Sequence, residues 1–442
     1  MSAAELGAML PALALAGSAV LATVLAIPRR TGPRILAWLG ALVAATVAGL
    51  ALANGTGGGS PSIARDGASV FFIALIAMVT AVSCVLAAAD PRRIARSKDE
   101  TGLALFAACG AVIVVSAADL VVLFVGLALL AIPAYVLTGR AALAGDERVV
   151  RHFLLGATSS AVALYGIALL YAATGETGYL GLGRATHNPL YLAGLGLTLA
   201  GLLSHIASAP GHRWSIVTNI AVAGALLRLV AATATGEVGL DWQVALASVA
   251  AAALALSGVA SIAERRVRRL AGYATIAQLG FVATAAASAA LPAAAFALVT
   301  YSAVALGLFA GLAILPQREP VLDDLAGLAR RRPLAVLALT LLLLGLVGVP
   351  PTAGFLAKVY VLEAAVRAQL LWLVVLGTLA SVASTAAYAR LVLACFAAPR
   401  LDAVAPSRMR VGTAVALVIA IAVVAAGLAP GALLDAAQTV RF

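Results

Sequence analysis

One amine stands out in the stretch GVPPTAGFLAKVY, Gly348 to Tyr360. Lys358 is one of two lysines in 442 residues, and it sits in an apolar run directly after Pro350, Pro351 and Gly354. Prolines remove backbone donors and leave carbonyls without intrahelical partners, which a bilayer tolerates only inside protein or beside a polar cavity. An amine desolvated at such a helix break can load and release a proton, and interrupted membrane helices are where transporters place ions and protons. Lys358 is therefore the leading candidate for a proton relay. The other ionisable residues in apolar runs are Glu363, Arg390, Arg228 and Asp119, while His205 and His212 flank a second break at Pro210 in SHIASAPGHRW. Ionisable groups within spans are costly and default to function, so His205, Glu363 and Arg390 join Lys358 as relay candidates. Glu363 lies five residues beyond Lys358, about 140° around a helix, which argues against a direct pair. Arg390 either snorkels or pairs with a carboxylate in the bundle. Asp119 and Arg228 lie near the ends of their runs and read as snorkelling side chains.

These residues need spans to hold them. The chain is 63% hydrophobic and 11% charged, with a mean hydropathy of +1.08, too little polar surface for a soluble domain. It reads as an all-α polytopic membrane protein with about 14 transmembrane helices, interrupted at residues 334–365. The net charge of +11 does not indicate nucleic acid, because the arginines cluster in short loops between apolar runs. With 14 spans, 22 of the 29 basic residues fall on one side and four on the other, which places both termini outside. The first apolar run carries Glu5 rather than a basic leader, so an uncleaved first span is expected. Cys84, Cys109 and Cys395 show neither ligand nor disulfide spacing; they read as packing residues, and no metal site is expected.

The run GLVGVPPTAGFLAKVYVLEAAV resembles the signature of the twelfth helix in antiporter-like subunits of respiratory complex I. Within that group the chain is most similar to the subunit N family of bacterial NADH-quinone oxidoreductase. RHFLLGATSSAVALYGIALLYAATG (151–175) resembles that family's sixth helix, VGLALLAIPAYVLTG its fifth, RRLAGYATIAQLGF its tenth and GLAPGALLDAAQ its C-terminus. The resemblance implies 14 helices with two five-helix units of inverted topology, each containing a proline-broken helix. On this basis residues 1–100 form an N-terminal three-helix segment, 101–232 and 242–396 the two repeats, and 397–442 a C-terminal helix. It also implies a bacterial cell-membrane location, neighbouring membrane-arm subunits as partners, and proton translocation coupled to quinone reduction. No flavin, iron–sulfur cluster or NADH is expected on this chain, since NADH and quinone serve the whole complex. The absence of a dinucleotide fingerprint and of a cysteine cluster agrees with that.

The chain departs from the family where the family's proton path runs. The fifth-helix glutamate position is Ala128, the seventh-helix lysine position is His205, the eighth-helix lysine position is Asn219, and a tenth-helix histidine position is Gln278. The acidic, proline-rich stretch expected after Trp214 is missing, which shortens the first break. Losing one member of a buried ion pair costs about 3–5 kcal/mol; here the carboxylate and both lysines are gone together. His205, with an unperturbed pKa near ~6.5, can titrate in that slot or sit neutral against free carbonyls at the break. Three readings follow: a subunit of the proton-translocating oxidoreductase with a degenerate first path, a structural paralogue that does not pump, and a subunit of a multi-subunit cation/proton antiporter.

Overall fold

A computed structural model describes residues 3–26, 32–57, 59–90, 99–141, 147–182, 188–208, 213–233, 239–315, 320–398 and 410–440. Among these the chain is helical without strands, apart from three isolated backbone bridges. Among the described residues, eleven helices are long and apolar enough to cross a membrane, and three shorter apolar ones cover Glu100–Ser116, Pro189–His205 and Pro333–Val347. The chain divides into two compact units, Met1–Ala245 with Thr439–Phe442, and Leu246–Gln438.

The first unit contains α1 (Ala3–Ala26), α2 (Pro33–Asn54), α3 (Gly67–Ala89), α4 (Glu100–Ser116), α5 (Leu120–Ala141), α6 (Glu147–Thr174), α7 (Pro189–Ser208) and α8 (Ser215–Thr233). Helix α8 is buried along almost its whole length, as expected of a helix apolar on every face at the centre of a bundle. Two arginines tie it to α4. Arg213, just before α8, reaches Glu100 at the start of α4 at 2.5 Å, and the Trp214 indole donates to the same carboxylate oxygen at 3.2 Å. Fifteen residues on, Arg228 donates from Nε to the Val115 carbonyl near the end of α4 and forks onto both oxygens of Asp66 at 2.6 and 2.8 Å. The equal spacing of these ties means that α4 and α8 run parallel and are fastened at both ends.

The Arg228 fork corrects the snorkelling expectation: the side chain is buried and ion-paired, and it also donates to the Ser69 hydroxyl. Asp119 likewise does not snorkel. It accepts from the Val121 N–H at the start of α5 and from the Thr177 hydroxyl, so it caps the helix. Helices α6 and α7 pack antiparallel with their backbones close: a Cβ on Gly201 would meet the Ala163 backbone, and one on Gly194 the Leu170 backbone. Small residues at such crossings let membrane helices approach closely.

The second unit contains most of α9 (Gly239–Ala263), then α10 (Val267–Ala287), α11 (Leu291–Leu312), α12 (Pro333–Val347), α13 (Ala353–Arg367), α14 (Leu371–Phe396), α15 (Arg410–Leu428) and α16 (Gly431–Gln438). Helix α11 packs against α10, α12, α13 and α15. The expected interruption lies between α12 and α13. Gly348 closes α12 with φ +83°, a left-handed cap that glycine adopts without steric cost. The turn runs on through Val349, Pro350, Pro351 and Thr352. Gly354, the second residue of α13, lies so close to the Gly345 carbonyl that a Cβ there would overlap it. The three cysteines are free thiols, all buried.

Candidate functional site

Helix ends leave carbonyls without intrahelical donors. At the end of α12 the Leu344 carbonyl receives the N–H groups of Gly348 and Val349, each at 3.0 Å. Two later ones, those of Leu346 and Val347, are taken by side chains from other helices. Gln278 Nε2 on α10 donates to the Leu346 carbonyl at 3.1 Å, and Lys358 Nζ on α13 donates to the Val347 carbonyl at 2.8 Å. Lys358 also donates to Ser381 Oγ on α14 at 3.0 Å and lies 5.0 Å from the centroid of the Phe281 ring. Gln278 and Phe281 stand one turn apart on α10, so one helix face supplies both an amide and a ring to the break.

The amine is buried, and the ligands around it are a carbonyl, a hydroxyl and an aromatic face. All three favour the ammonium form by polar contact rather than by a fixed opposing charge. This is a site where a proton can be held or released without a salt bridge being broken. Ser381 and Phe281 were absent from the sequence candidates, because neither is ionisable and only packing brings them to Lys358.

The remaining candidates in this unit point elsewhere. Glu363 is half-exposed and pairs with Arg367 at 2.5 Å, one turn along α13. It lines a cavity of about 620 Å³ together with Tyr360, Arg367, Ser288 and Gln438. Among the described residues Arg390 meets no carboxylate. It donates to the Ser261 carbonyl at 3.0 Å and the Glu264 carbonyl at 3.4 Å, covering the C-terminal end of α9, where a cation suits the helix dipole.

In the first unit, His205 is buried near the end of α7, with its Nε2 3.2 Å from Ser160 Oγ on α6. Asn219 is fully enclosed on α8, and Ala128 lies partly buried on α5. Pro210 and His212 lie outside the described residues. Helix α8 begins at Ser215, seven positions after the end of α7 at Ser208, which leaves little chain for a second half-helix comparable to α13. Two aromatic groups missed in the sequence lie beside this slot: Tyr135 and His152 meet edge to face with centroids 5.3 Å apart. The signal was available, since His152, Gly156 and Ser160 recur every four residues along one face of α6.

Comparison with known proteins agrees with this architecture. Residues 117–384 match the family described as NADH:quinone oxidoreductase/Mrp antiporter, transmembrane. The NADH-quinone oxidoreductase subunit N of Gemmatimonas aurantiaca is 31% identical, covering 98% of this chain and 93% of its own length. A chain of respiratory complex I from Thermus thermophilus with bound aureothin superposes with a TM-score of 0.83 at 29% identity, covering 96% of this chain and 98% of that one. A chain of the Mrp complex from Dietzia sp. superposes with a TM-score of 0.85 over 99% of this chain and 97% of that one. At 19% identity it shares the fold alone. By motif, by length and by fold, this multi-pass membrane chain belongs to the subunit N family of NADH-quinone oxidoreductase.

Proposed function

We propose that the chain is a membrane-arm subunit of a proton-translocating NADH-quinone oxidoreductase, coupling quinone reduction elsewhere in the complex to proton movement in the bilayer. The observation that carries this reading is the buried Lys358 ammonium on the opened Val347 carbonyl, inside a chain that matches subunit N relatives over nearly its whole length. Lys358 holds a proton at Nζ, and Ser381 and the Val347 carbonyl orient it. NADH and quinone act on other subunits; this chain holds neither, and its partners are the neighbouring membrane-arm subunits.

Eleven long and three shorter apolar helices support 14 spans, with α12 and α13 as the two halves of the twelfth. The parallel run of α4 and α8 suits three alternating crossings between them, α5, α6 and α7. We assign residues 1–100 to an N-terminal segment, 101–232 and 242–396 to two inverted five-helix repeats, and 397–442 to the C-terminal helix. The arginine distribution places both termini on the outer side of a bacterial cell membrane.

The proton path of the first repeat is degenerate relative to its family. Helix α5 carries Ala128 in place of a carboxylate, and α8 carries Asn219 in place of a lysine. These substitutions favour one second reading, a structural paralogue that completes the membrane arm without pumping. Proton uptake into vesicles containing the assembled complex separates the two. Lys358→Ala is expected to lower the protons moved per electron while electron transfer continues, and unchanged flux would sink the relay role. Ala128→Glu alone is expected to restore nothing, because no lysine stands opposite it.

A further inference from the structure

The cavity beside Glu363 lies wholly within the second unit, at the end of the bundle where α10 stops, α11 starts and α13 stops. Helix α16 closes its remaining side, packed on α11. At about 620 Å³ it falls in the range of pockets that hold small ligands. Its floor is apolar. The Phe296 ring is fully buried and meets Tyr360 edge to face with centroids 5.6 Å apart, and Ala364 and Leu434 continue the wall. Its rim is charged, for Glu363 and Arg367 both line it, joined at 2.5 Å one turn apart on α13.

That ion pair does not hold the bundle together. The Arg367 side chain is 78% exposed and that of Glu363 49%, and exposed pairs at this spacing contribute little to stability. The two groups can turn from each other towards a ligand at small cost. They offer one positive and one negative charge above an apolar floor. A ligand that answers all three features carries a phosphate and an ammonium close together on a hydrocarbon body. A guanidinium takes a phosphate through two parallel N–H donors, and a carboxylate accepts from the N–H groups of a primary ammonium. A quaternary ammonium has no N–H to give, and a headgroup with phosphate alone is repelled by the carboxylate. The hydrocarbon is supplied by the surroundings. Helices α10 and α11 are long and apolar enough to cross a bilayer, so their ends fall where the headgroups begin, and Tyr360 suits that depth.

We propose that this cavity seats one phospholipid with a primary-amine headgroup, its phosphate on Arg367, its ammonium on Glu363 and its glycerol backbone over Phe296 and Leu434. No covalent step is involved, and the site draws nothing from the proton held at Lys358. Only the leaflet that supplies the lipid, the outer one, rests on the topology proposed above.

Native mass spectrometry of the full-length chain released from detergent tests the proposal, with phosphatidylethanolamine, phosphatidylcholine or phosphatidylglycerol added at equal concentration. The parent chain is expected to retain one phosphatidylethanolamine about fivefold more tightly than either other lipid. Glu363→Gln should lower that retention by about fivefold and remove the discrimination against phosphatidylglycerol. Arg367→Gln should weaken all three lipids. Ala364→Phe fills the cavity with both charges in place and should abolish retention. Soluble phosphoethanolamine at the lipid concentration should displace nothing, because it lacks the hydrocarbon that the floor holds. Equal retention of the three lipids by the parent, retention unchanged in both charge variants, or displacement by soluble phosphoethanolamine would overturn the proposal. If Ala364→Phe does not fold, the two exposed charge variants decide the matter. Failure of the tagged chain to co-purify with oxidoreductase subunits would defeat the membrane-arm reading and leave the lipid result standing.

Discussion

Gln278 and Lys358 act on adjacent carbonyls but answer different needs. The amide supplies a permanent donor to Leu346, whereas the amine supplies one to Val347 that depends on protonation. Gln278→Leu keeps the volume and removes the donor, leaving a buried carbonyl unsatisfied. A loss of about 1–3 kcal/mol is expected, read as a lower unfolding midpoint of the detergent-solubilised chain. The substitution should leave the Ser381 contact of Lys358 intact. Lys358 was legible in the sequence because a charge in an apolar run has few bland explanations. Gln278 was legible only as a missing histidine. Its donor role depends on which carbonyl the break exposes, and that is decided by how α10 packs. The opposite failure occurred at Arg228, whose place near a span end suggested headgroups. Its partner Asp66 lies 162 residues away in another loop, a distance no local pattern reveals.

Among the helices, the two lashings of α4 to α8 and the close seam of α6 and α7 define the rigid parts of the first unit. Burial by itself would raise the Asp66 carboxyl, but the Arg228 guanidinium and the Ser69 bonds outweigh it and hold the group below its ordinary value. A depressed folded-state value gives stability that is present above the unfolded-state pKa, near ~4, and is lost as pH falls through the folded-state value. Unfolding midpoints should therefore decline on acidification below about pH 4, and this part of the decline should vanish in Asp66→Asn. Arg228→Ala removes the countercharge of Asp66 and the Nε donor to the Val115 carbonyl, and is expected to cost about 3 kcal/mol at neutral pH. Gly201→Leu drives a side chain into the Ala163 backbone and should part α6 from α7. A cysteine pair across that seam, cross-linked in the parent and not in the variant, would report it. The helices themselves were legible from apolar run length. Their pairing was not, because near-uniform alanine and leucine faces carry little directional information.

For the molecule as a whole, the asymmetry between the units is the central fact. The second unit keeps a broken helix with an amine at the opening. In the first, α8 begins at Ser215, seven positions after α7 ends at Ser208, and His205 near that end lies against Ser160. A tagged chain expressed from its own genome is expected to co-purify with the other membrane-arm subunits. Mass spectrometry of the eluate checks this, and recovery of antiporter subunits instead would redirect the assignment. Impermeant labelling of single cysteines placed near each terminus should mark both from the outer face, as the arginine distribution requires. Fold class and family were both legible before any coordinates, since the twelfth-helix signature and the sixth-helix run are long and specific. The approach of Ser160 to His205 was not legible, because it depends on how α6 packs on α7.

The contact between Lys358 and Ser381 has a further consequence. As an ammonium, Lys358 has only hydrogens to offer, so the serine oxygen must accept. Once the proton leaves, the amine gains a lone pair and the serine hydroxyl can turn and donate to it. The infrared O–H stretch of one serine then becomes a local gauge of charge state. In difference spectra recorded during turnover, a band that shifts in the parent and disappears in Ser381→Ala would show when this lysine is empty.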